Sequence, residues 1–213
     1  MRKNTRKEKI VMIATLSIFL AIEAIICFVP FLGSIQIGPV VATLAMIPVL
    51  IIGIVYGPLM GGILGLVAGT FSFIYWTFID PANPSALLFT PWNGLSENPT
   101  NYWTLVICFV PRILTGVVAG YVNIGFNKFC KLSYINYAVA GILGSLTNTF
   151  LVLFGTYILW GKQYAALCGM DFSILLTTIL VIVGTNGLFE AAVGGILSVS
   201  ICTPLNKLKT SMN

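Results

Sequence analysis

The sequence contains no histidine among its 213 residues. This absence excludes Ser–His and Cys–His catalysis, histidine-ligated haem and most zinc sites. The glycine-rich Walker loop that cradles nucleotide phosphates is also missing, so the chain has no ATPase site of its own. The five cysteines are scattered without a Cys-x-x-Cys pair and are expected to pack as small apolar residues. We therefore predict a protein that is not an enzyme and carries no cofactor and no metal.

Charge is the second shortage, because Asp, Glu, Lys and Arg make up only 8% of the chain while apolar residues make up 58%. Soluble domains carry about 25% charged residues. The composition predicts an all-α integral membrane protein of the bacterial plasma membrane, with residues 1–213 forming one compact monomeric bundle. Six transmembrane helices are predicted, over residues 10–29, 38–55, 59–78, 103–123, 134–160 and 172–203.

The net charge of +5 could indicate nucleic-acid binding, but its distribution argues for a membrane topology signal. Most basic residues lie before the first span, at Lys128 and Lys131, or at Lys207 and Lys209. By the positive-inside rule both termini are predicted to be cytoplasmic. The proline-rich loop 79–102 then lies outside, either as a lid or as an interfacial loop with its aromatic rings at the lipid headgroups.

Two patterns of small residues predict close helix packing. Glycines recur every four residues in the third span, at Gly57, Gly61, Gly65 and Gly69, and Gly116 and Gly120 repeat the spacing in the fourth span. Ala14, Ser17, Ala21 and Ala24 form a similar stripe in the first span. Each pattern is compatible with packing inside the bundle and with contact to a partner subunit.

Several polar residues interrupt the apolar spans, and Arg112 is the most informative. An arginine at a helix centre costs about 2.5–3.5 kcal/mol on insertion scales, so it is expected to serve a function. Arg112 lies about 13 Å from the outer end of its helix at 1.5 Å per residue. The other members are Glu23, Asn148, Asn186 and Glu190. They predict a polar pocket open to the outside, or alternatively an Arg112–Glu190 ion pair that only holds helices together.

Beyond these features, the order of several short motifs resembles one family. The motifs are Ile47-Pro48, YGPLMGGILG over residues 56–65, VPRILTG over residues 110–116, Ala119-Gly120 and NGLFEAA over residues 186–192. Together with the six-span plan they resemble the substrate-binding (S) subunits of energy-coupling factor (ECF) vitamin transporters. The resemblance implies a vitamin site near the outer face, a transmembrane coupling subunit and two cytoplasmic ATPases as partners, and no nucleic acid.

The resemblance also implies residue roles. The family's first helix contacts the coupling subunit through Ala-x-x-x-Ala, for which the match here is Ser17-x-x-x-Ala21, with Ala14 one turn earlier. The region of Arg112 and the outer loop look most like pantothenate subunits. The implied ligand residues are Arg112, Asn148, Asn186, Glu190, Trp92, Asn93 and Tyr75. Riboflavin, cobalamin and folate subunits share the fold, and the alternatives of another class are a small intramembrane enzyme using Glu190 and Arg112, or a membrane scaffold.

Overall fold

The computed structural model describes residues 6–29, 34–37, 40–81, 86–92, 102–167, 169 and 171–211, and these ranges form a helical bundle. The helices are α1 (Arg6–Phe28), α2 (Ile47–Tyr56), α3 (Pro58–Ile74), α4 (Ala86–Phe89), α5 (Trp103–Phe129), α6 (Ser133–Leu167), α7 (Phe172–Ile182) and α8 (Leu188–Ser211). Single π-helical turns extend α3 over Tyr75–Ile79 and join α7 to α8 over Val183–Gly187.

Within the described ranges, five helices are long and apolar enough to cross a membrane. They are α1, α3 with its π-turn, α5, α6, and α7 continued through the second π-turn into α8. These five correspond to predicted spans one, three, four, five and six. The helices end later than predicted at several points: α5 continues to Phe129 and α6 to Leu167. The helical class predicted from composition is therefore confirmed for the bulk of the bundle.

The second predicted span, residues 38–55, differs most from the structure. Its first part contains the strand β2 (Val40–Thr43), which pairs antiparallel with β1 (Ser34–Ile37) so that Ile37 faces Val40. Only the ten residues of α2 are helical, a length of about 15 Å. A hydrocarbon core of about 30 Å needs about twenty residues, so α2 cannot cross it alone. The structure therefore differs from the continuous helix predicted over residues 38–55, and the count of six spans stays a prediction.

The α2 helix lies inside the bundle, enclosed by the other helices. Its residues Pro48 to Val55 are all buried, and Val49 and Ile52 are 0% exposed. A helix that is apolar all round is buried either in lipid or in protein, and its sequence cannot distinguish the two. The other helices pack around α2 and form the main apolar core with it.

Glycines let α2, α3 and α5 approach with their backbones in contact. A Cβ on Gly61 would collide with the backbone of Gly116, and one on Gly65 would collide with the carbonyl of Arg112. A Cβ on Gly120 would meet the backbone of Pro58. The glycine pattern in the third and fourth spans therefore serves packing inside the chain, which was one of its two interpretations.

Both ends of the helical chain lie at the same end of the bundle. Tyr56, at the end of α2, donates a hydrogen bond to Thr15 Oγ1 of α1 at 3.0 Å. Lys209 of α8 donates to the Val55 carbonyl at 2.7 Å, and Asn123 of α5 donates to the Ile54 carbonyl at 2.9 Å. We call this the basic end, because the clustered basic residues lie there. Its assignment to the cytoplasm stays a prediction from the positive-inside rule.

Candidate functional site

Arg112 occupies a position in α5 that the preceding proline creates. Pro111 has no N–H and cannot donate to the carbonyl of Ile107 one turn earlier, which an ordinary helix residue would do. The Arg112 guanidinium fills this place, because its Nη1 donates to the Ile107 carbonyl oxygen at 3.0 Å. The side chain is thereby held within the helix bundle, and its charge is directed along α5 toward the end opposite the basic end.

The rest of the guanidinium is enclosed but only partly bonded. Arg112 is 7% exposed, and its Cζ lies 4.5 Å from the centre of the Phe89 ring, which is provided by α4. An arginine over an aromatic face gains a cation–π attraction. Its Nε is buried and has no hydrogen-bond partner among the described residues. The guanidinium group of arginine can bind a carboxylate through two parallel hydrogen bonds, and its Nε–H donor is therefore still available here.

Glu23 of α1 is a second buried charged side chain of the bundle. It is 0% exposed, and its Oε1 lies 3.5 Å from Cys27 Sγ, which donates a weak hydrogen bond to it. Its Oε2 is buried without a hydrogen-bond partner in the described part of the chain. A buried cation on α5 and a buried carboxylate on α1 therefore each retain an open polar atom.

Contacts between neighbouring helices bring Asn148 to the depth of Arg112. A Cβ on Gly144 of α6 would touch the Thr115 carbonyl of α5, and one on Gly155 would touch the Ile107 side chain. Since these helices run antiparallel, the residues between these two contacts face each other, and Asn148 comes level with Arg112. Its Oδ1 is a buried acceptor without a partner in the described ranges.

The polar residues at the level of Arg112 and Asn148 form one layer of the bundle. Glu190 of α8 belongs to this layer because it bonds α6 beside Asn148. Its Oε2 accepts a hydrogen bond from Thr149 Oγ1 at 2.8 Å. It also lines a cavity of about 10 Å³ with Ser145, Gly194 and the start of α2, where Met46, Ile47 and Leu50 contribute. That volume is about what one water molecule requires. The Arg112–Glu190 pair stays a prediction.

The other predicted ligand residues are distributed over the surrounding elements. Tyr75 and Asn186 both lie in π-helical turns, a feature that often marks functional positions in helices. Tyr75 packs edge-on against Trp76 at 5.1 Å between ring centres. Trp92 is 59% exposed at the end of the α4 segment, and Asn93 lies outside the described residues.

The small residues of the first helix face outward. Ala14, Ser17 and Ala21 are all exposed, and the Ser17 hydroxyl donates to the Ile13 carbonyl of its own helix at 3.0 Å. The buried side of α1 is instead formed by Phe19 and Glu23. Packing of this stripe inside the chain, one of its two predicted interpretations, is therefore wrong for these three residues. Their surface is available to lipid or to another subunit.

Two contributors to the site were not identified from sequence. Thr149 reads as an ordinary small residue within α6, and only the α6–α8 contact shows that it bonds Glu190. Phe89 lies in a loop whose aromatic residues could equally face the headgroups, and only the structure brings its ring over Arg112. No residue spacing along the chain could have signalled either contact.

The fold and the polar residues around Arg112 define the class of protein, which is a small multi-span membrane protein with a polar site enclosed by its helices. The family is then shown by sequence, since residues 11–205 match the model of "ECF transporter, substrate-specific component". The chain belongs to the substrate-specific components of ECF transporters. It is a transport component of the multi-pass cell-membrane type.

Individual relatives agree with this family. The chain is 32% identical over 209 residues to a protein of Lactococcus lactis subsp. cremoris named pantothenic acid transporter PanT, covering 97% of this chain and 99% of that protein. It is 27% identical over 207 residues to pantothenate transporter PanT of Leuconostoc mesenteroides subsp. mesenteroides, covering 93% and 92%. The solved structure of ThiT from Listeria monocytogenes shares the fold, with a TM-score of 0.58 at 20% identity over 94% of this chain and 98% of that one.

Proposed function

We propose that this chain is the pantothenate-binding component of an ECF importer. The observation that carries the proposal is the enclosed guanidinium of Arg112, whose Nε remains an open donor in a membrane-spanning layer. An arginine so held is suited to one ligand carboxylate, and pantothenate has one. The names of the two curated relatives support the same ligand.

The other groups of the layer complement the rest of pantothenate. Its amide and two hydroxyls can donate hydrogen bonds, and the Asn148 Oδ1 is a buried acceptor without a described partner. Asn186 and the Glu190–Thr149 pair offer further acceptors and donors one helix away. Together these groups would recognise both ends of a small polar ligand.

We propose that the layer opens when the ligand binds. The described cavity of about 10 Å³ beside Glu190 holds about one water, far less than a vitamin needs. The element best positioned to move is α4, which has only four residues and lies over Arg112 through Phe89. We propose that the loop over residues 79–102, which contains α4, acts as a lid on the ligand site.

Direct binding tests the ligand. The purified full chain should retain or bind pantothenate with a dissociation constant below the micromolar range, measured by native mass spectrometry and isothermal titration calorimetry. Riboflavin, folate and cobalamin serve as comparison ligands under the same conditions. Absence of sub-micromolar pantothenate binding, or tighter binding of a comparison vitamin, would contradict the assignment.

The partner proposal concerns the exposed stripe of α1. We propose that Ala14, Ser17 and Ala21 meet the transmembrane coupling subunit, which works with two cytoplasmic ATPases. Small exposed side chains allow the close helix approach that such a contact needs. The stripe differs from the rest of exposed α1, where large residues such as Ile13 and Ile18, each 59% exposed, are suited to lipid.

Two serines in matching environments make a controlled test of this contact. Ser17 and Ser200 are both exposed, and each donates to the carbonyl four residues earlier, at 3.0 and 2.9 Å. Ser17→Trp should abolish uptake by the assembled transporter and leave pantothenate binding by the isolated chain intact. Ser200→Trp on α8 should affect neither measurement. Equal uptake by the two variants would show that the α1 stripe is not the coupling contact.

A further inference from the structure

Helix α1 carries the proposed coupling surface but has little buried contact with the bundle. Of its 23 residues, only Phe19 and Glu23 are buried, and Ile13 and Ile18 are each 59% exposed. A helix held by so few buried side chains can turn about its axis, and a shift by one residue rotates its surface by about 100°. A directional contact behind the small residues of α1 would keep them facing one way.

One such contact joins α1 to the end of α2. The Tyr56 hydroxyl donates to Thr15 Oγ1 at 3.0 Å, and the Thr15 hydroxyl in turn donates to the Val11 carbonyl of its own helix at 2.8 Å. Thr15 therefore uses its hydroxyl both as an acceptor and as a donor. It lies between Ala14 and Ser17 in the chain, but it is half-buried whereas these two residues are exposed. The Tyr56 bond thus reaches α1 at the level of the exposed stripe, from the bundle side.

Tyr56 is itself held in place by α5 and α8. The carbonyl of Val55 accepts a hydrogen bond from Lys209 Nζ at 2.7 Å, and the same ammonium lies 4.9 Å from the centre of the Tyr56 ring. The carbonyl of Ile54 accepts a hydrogen bond from Asn123 at 2.9 Å. The residues of α2 around Tyr56 are therefore fixed by two other helices, and the Tyr56 hydroxyl extends that fixed position to α1.

We propose that Tyr56 is a positioning residue that orients the α1 stripe for contact with the coupling subunit. This inference rests on the proposed function of the stripe. The ring and the hydroxyl of Tyr56 have separate roles, since the ring packs against Lys209 and the hydroxyl holds Thr15. Without the hydroxyl, α2 keeps its place while α1 loses the bond that fixes its rotation. The stripe would then face the coupling subunit in the correct orientation for a smaller fraction of the time.

Tyr56→Phe separates these roles, because it keeps the ring and removes only the hydroxyl. At saturating pantothenate, uptake by the assembled transporter should fall about twofold to about tenfold, the value of one neutral hydrogen bond, and less coupling subunit should co-purify with the chain. The dissociation constant of pantothenate for the isolated full chain should stay unchanged, since Tyr56 lies at the end of the bundle away from the Arg112 layer.

Thr15→Val removes the same bond from the other side and serves if Tyr56→Phe does not fold. It should lower uptake by the same factor as Tyr56→Phe. The double variant should lose no more than either single variant, because one hydrogen bond cannot be removed twice. Multiplied losses in the double variant would show that the two residues act independently and would overturn the proposal.

Tyr137→Phe is the matched control at the same end of the bundle. The Tyr137 hydroxyl accepts a hydrogen bond from Asn206 at 2.8 Å and so joins α6 to α8 without contacting α1. Both tyrosine substitutions remove one hydrogen bond, so a general loss of stability would lower uptake in both variants. Only Tyr56→Phe should lower it, and equal uptake by the two variants would refute the positioning role.

The Ser17→Trp variant distinguishes failure of this inference from failure of the proposed function. If Ser17→Trp abolishes uptake while Tyr56→Phe leaves it at the wild-type level, the α1 stripe is the coupling contact and Tyr56 does not position it. If Ser17→Trp also leaves uptake unchanged, the coupling contact itself is refuted, and the role of Tyr56 with it.

Discussion

Replacement of Arg112 by alanine is the sharpest test of the ligand site. The substitution removes two interactions, the hydrogen bond to the Ile107 carbonyl and the contact with the Phe89 ring, together with the open Nε donor. The first two exist without ligand and affect stability. Only the Nε side of the charged guanidinium is available to bind the ligand carboxylate. Binding and folding should therefore respond differently to the substitution.

The expected loss of affinity follows from the burial of the pair. Truncating one member of a buried, hydrogen-bonded charge pair costs about 2–5 kcal/mol of binding free energy. Since each 1.4 kcal/mol is a factor of ten, pantothenate should bind about 30-fold to about 3,000-fold more weakly to Arg112→Ala. Arg112→Lys keeps the charge but loses the planar fork. It should fall between the wild type and the alanine variant.

The fold should survive Arg112→Ala because α5 is held by its backbone. Gly65 of α3 lies against the Arg112 carbonyl, not against its side chain, and Gly61 packs against Gly116 further along. Size-exclusion chromatography and thermal unfolding should report a monodisperse protein that melts cooperatively.

Calorimetric titration of pantothenate into the three purified proteins measures the outcome. If Arg112→Ala binds pantothenate with wild-type affinity, the arginine does not hold the ligand and the proposed site is wrong. If the variant binds weakly but is also aggregated, the comparison rests on Arg112→Lys, whose charge and length preserve most of the packing.

Three further substitutions test separate parts of the structure. Gly65→Ala should destabilise the protein by about 1–3 kcal/mol, because the added methyl collides with α5, whereas Gly125→Ala, with nothing within 4 Å, should not lower the melting temperature. Asn148→Ala should weaken pantothenate binding about twofold to about tenfold in calorimetry, the value of one neutral hydrogen bond, and an unchanged affinity would remove this residue from the site. Lys209→Met loses the 2.7 Å hydrogen bond to the Val55 carbonyl and should lower the melting temperature by several degrees. The control Lys207→Met changes an exposed lysine and should not lower it. Equal melting temperatures of the two variants would refute a role for the Lys209–Val55 hydrogen bond in stability.

Sequence reasoning identified the long spans because their signal is carried by each segment alone. A run of about twenty apolar residues is long enough to cross a bilayer whatever its neighbours are. The difference from the predicted helix at residues 38–55 has a physical cause. An apolar segment is predicted to be removed from water, but its sequence does not show whether lipid or protein surrounds it. The α2 helix exchanges lipid contact for contact with α3, α5 and α8, and its ten residues are as apolar as a transmembrane segment.

The depth of a polar residue could be predicted from the sequence, but its partner could not. Counting residues from the helix end put Arg112 about 13 Å inside its span, and the contacts between α5 and α6 bring Asn148 to the same level. Partner choice depends on how each helix is rotated about its axis, and that rotation is set by packing. In α1, Phe19 and Glu23 are buried on the same side, so packing of Phe19 against the bundle turns Glu23 inward.

The two ends of the bundle are built differently, and the difference bears on where a ligand can enter. At the basic end the carbonyls that end α2 accept hydrogen bonds from Asn123 and Lys209. Asn136 donates to Asn127 and to the Cys130 carbonyl, although its own Oδ1 has no partner among the described residues. In the layer of Arg112, three buried polar atoms on three helices lack partners among the described residues. Unsatisfied buried groups cost free energy that a ligand with matching groups recovers on binding. Three of the five such atoms among the described residues belong to this layer, so it is the part of the described bundle where a polar ligand gains most. The bonded end of α2 can serve as the support against which that layer opens.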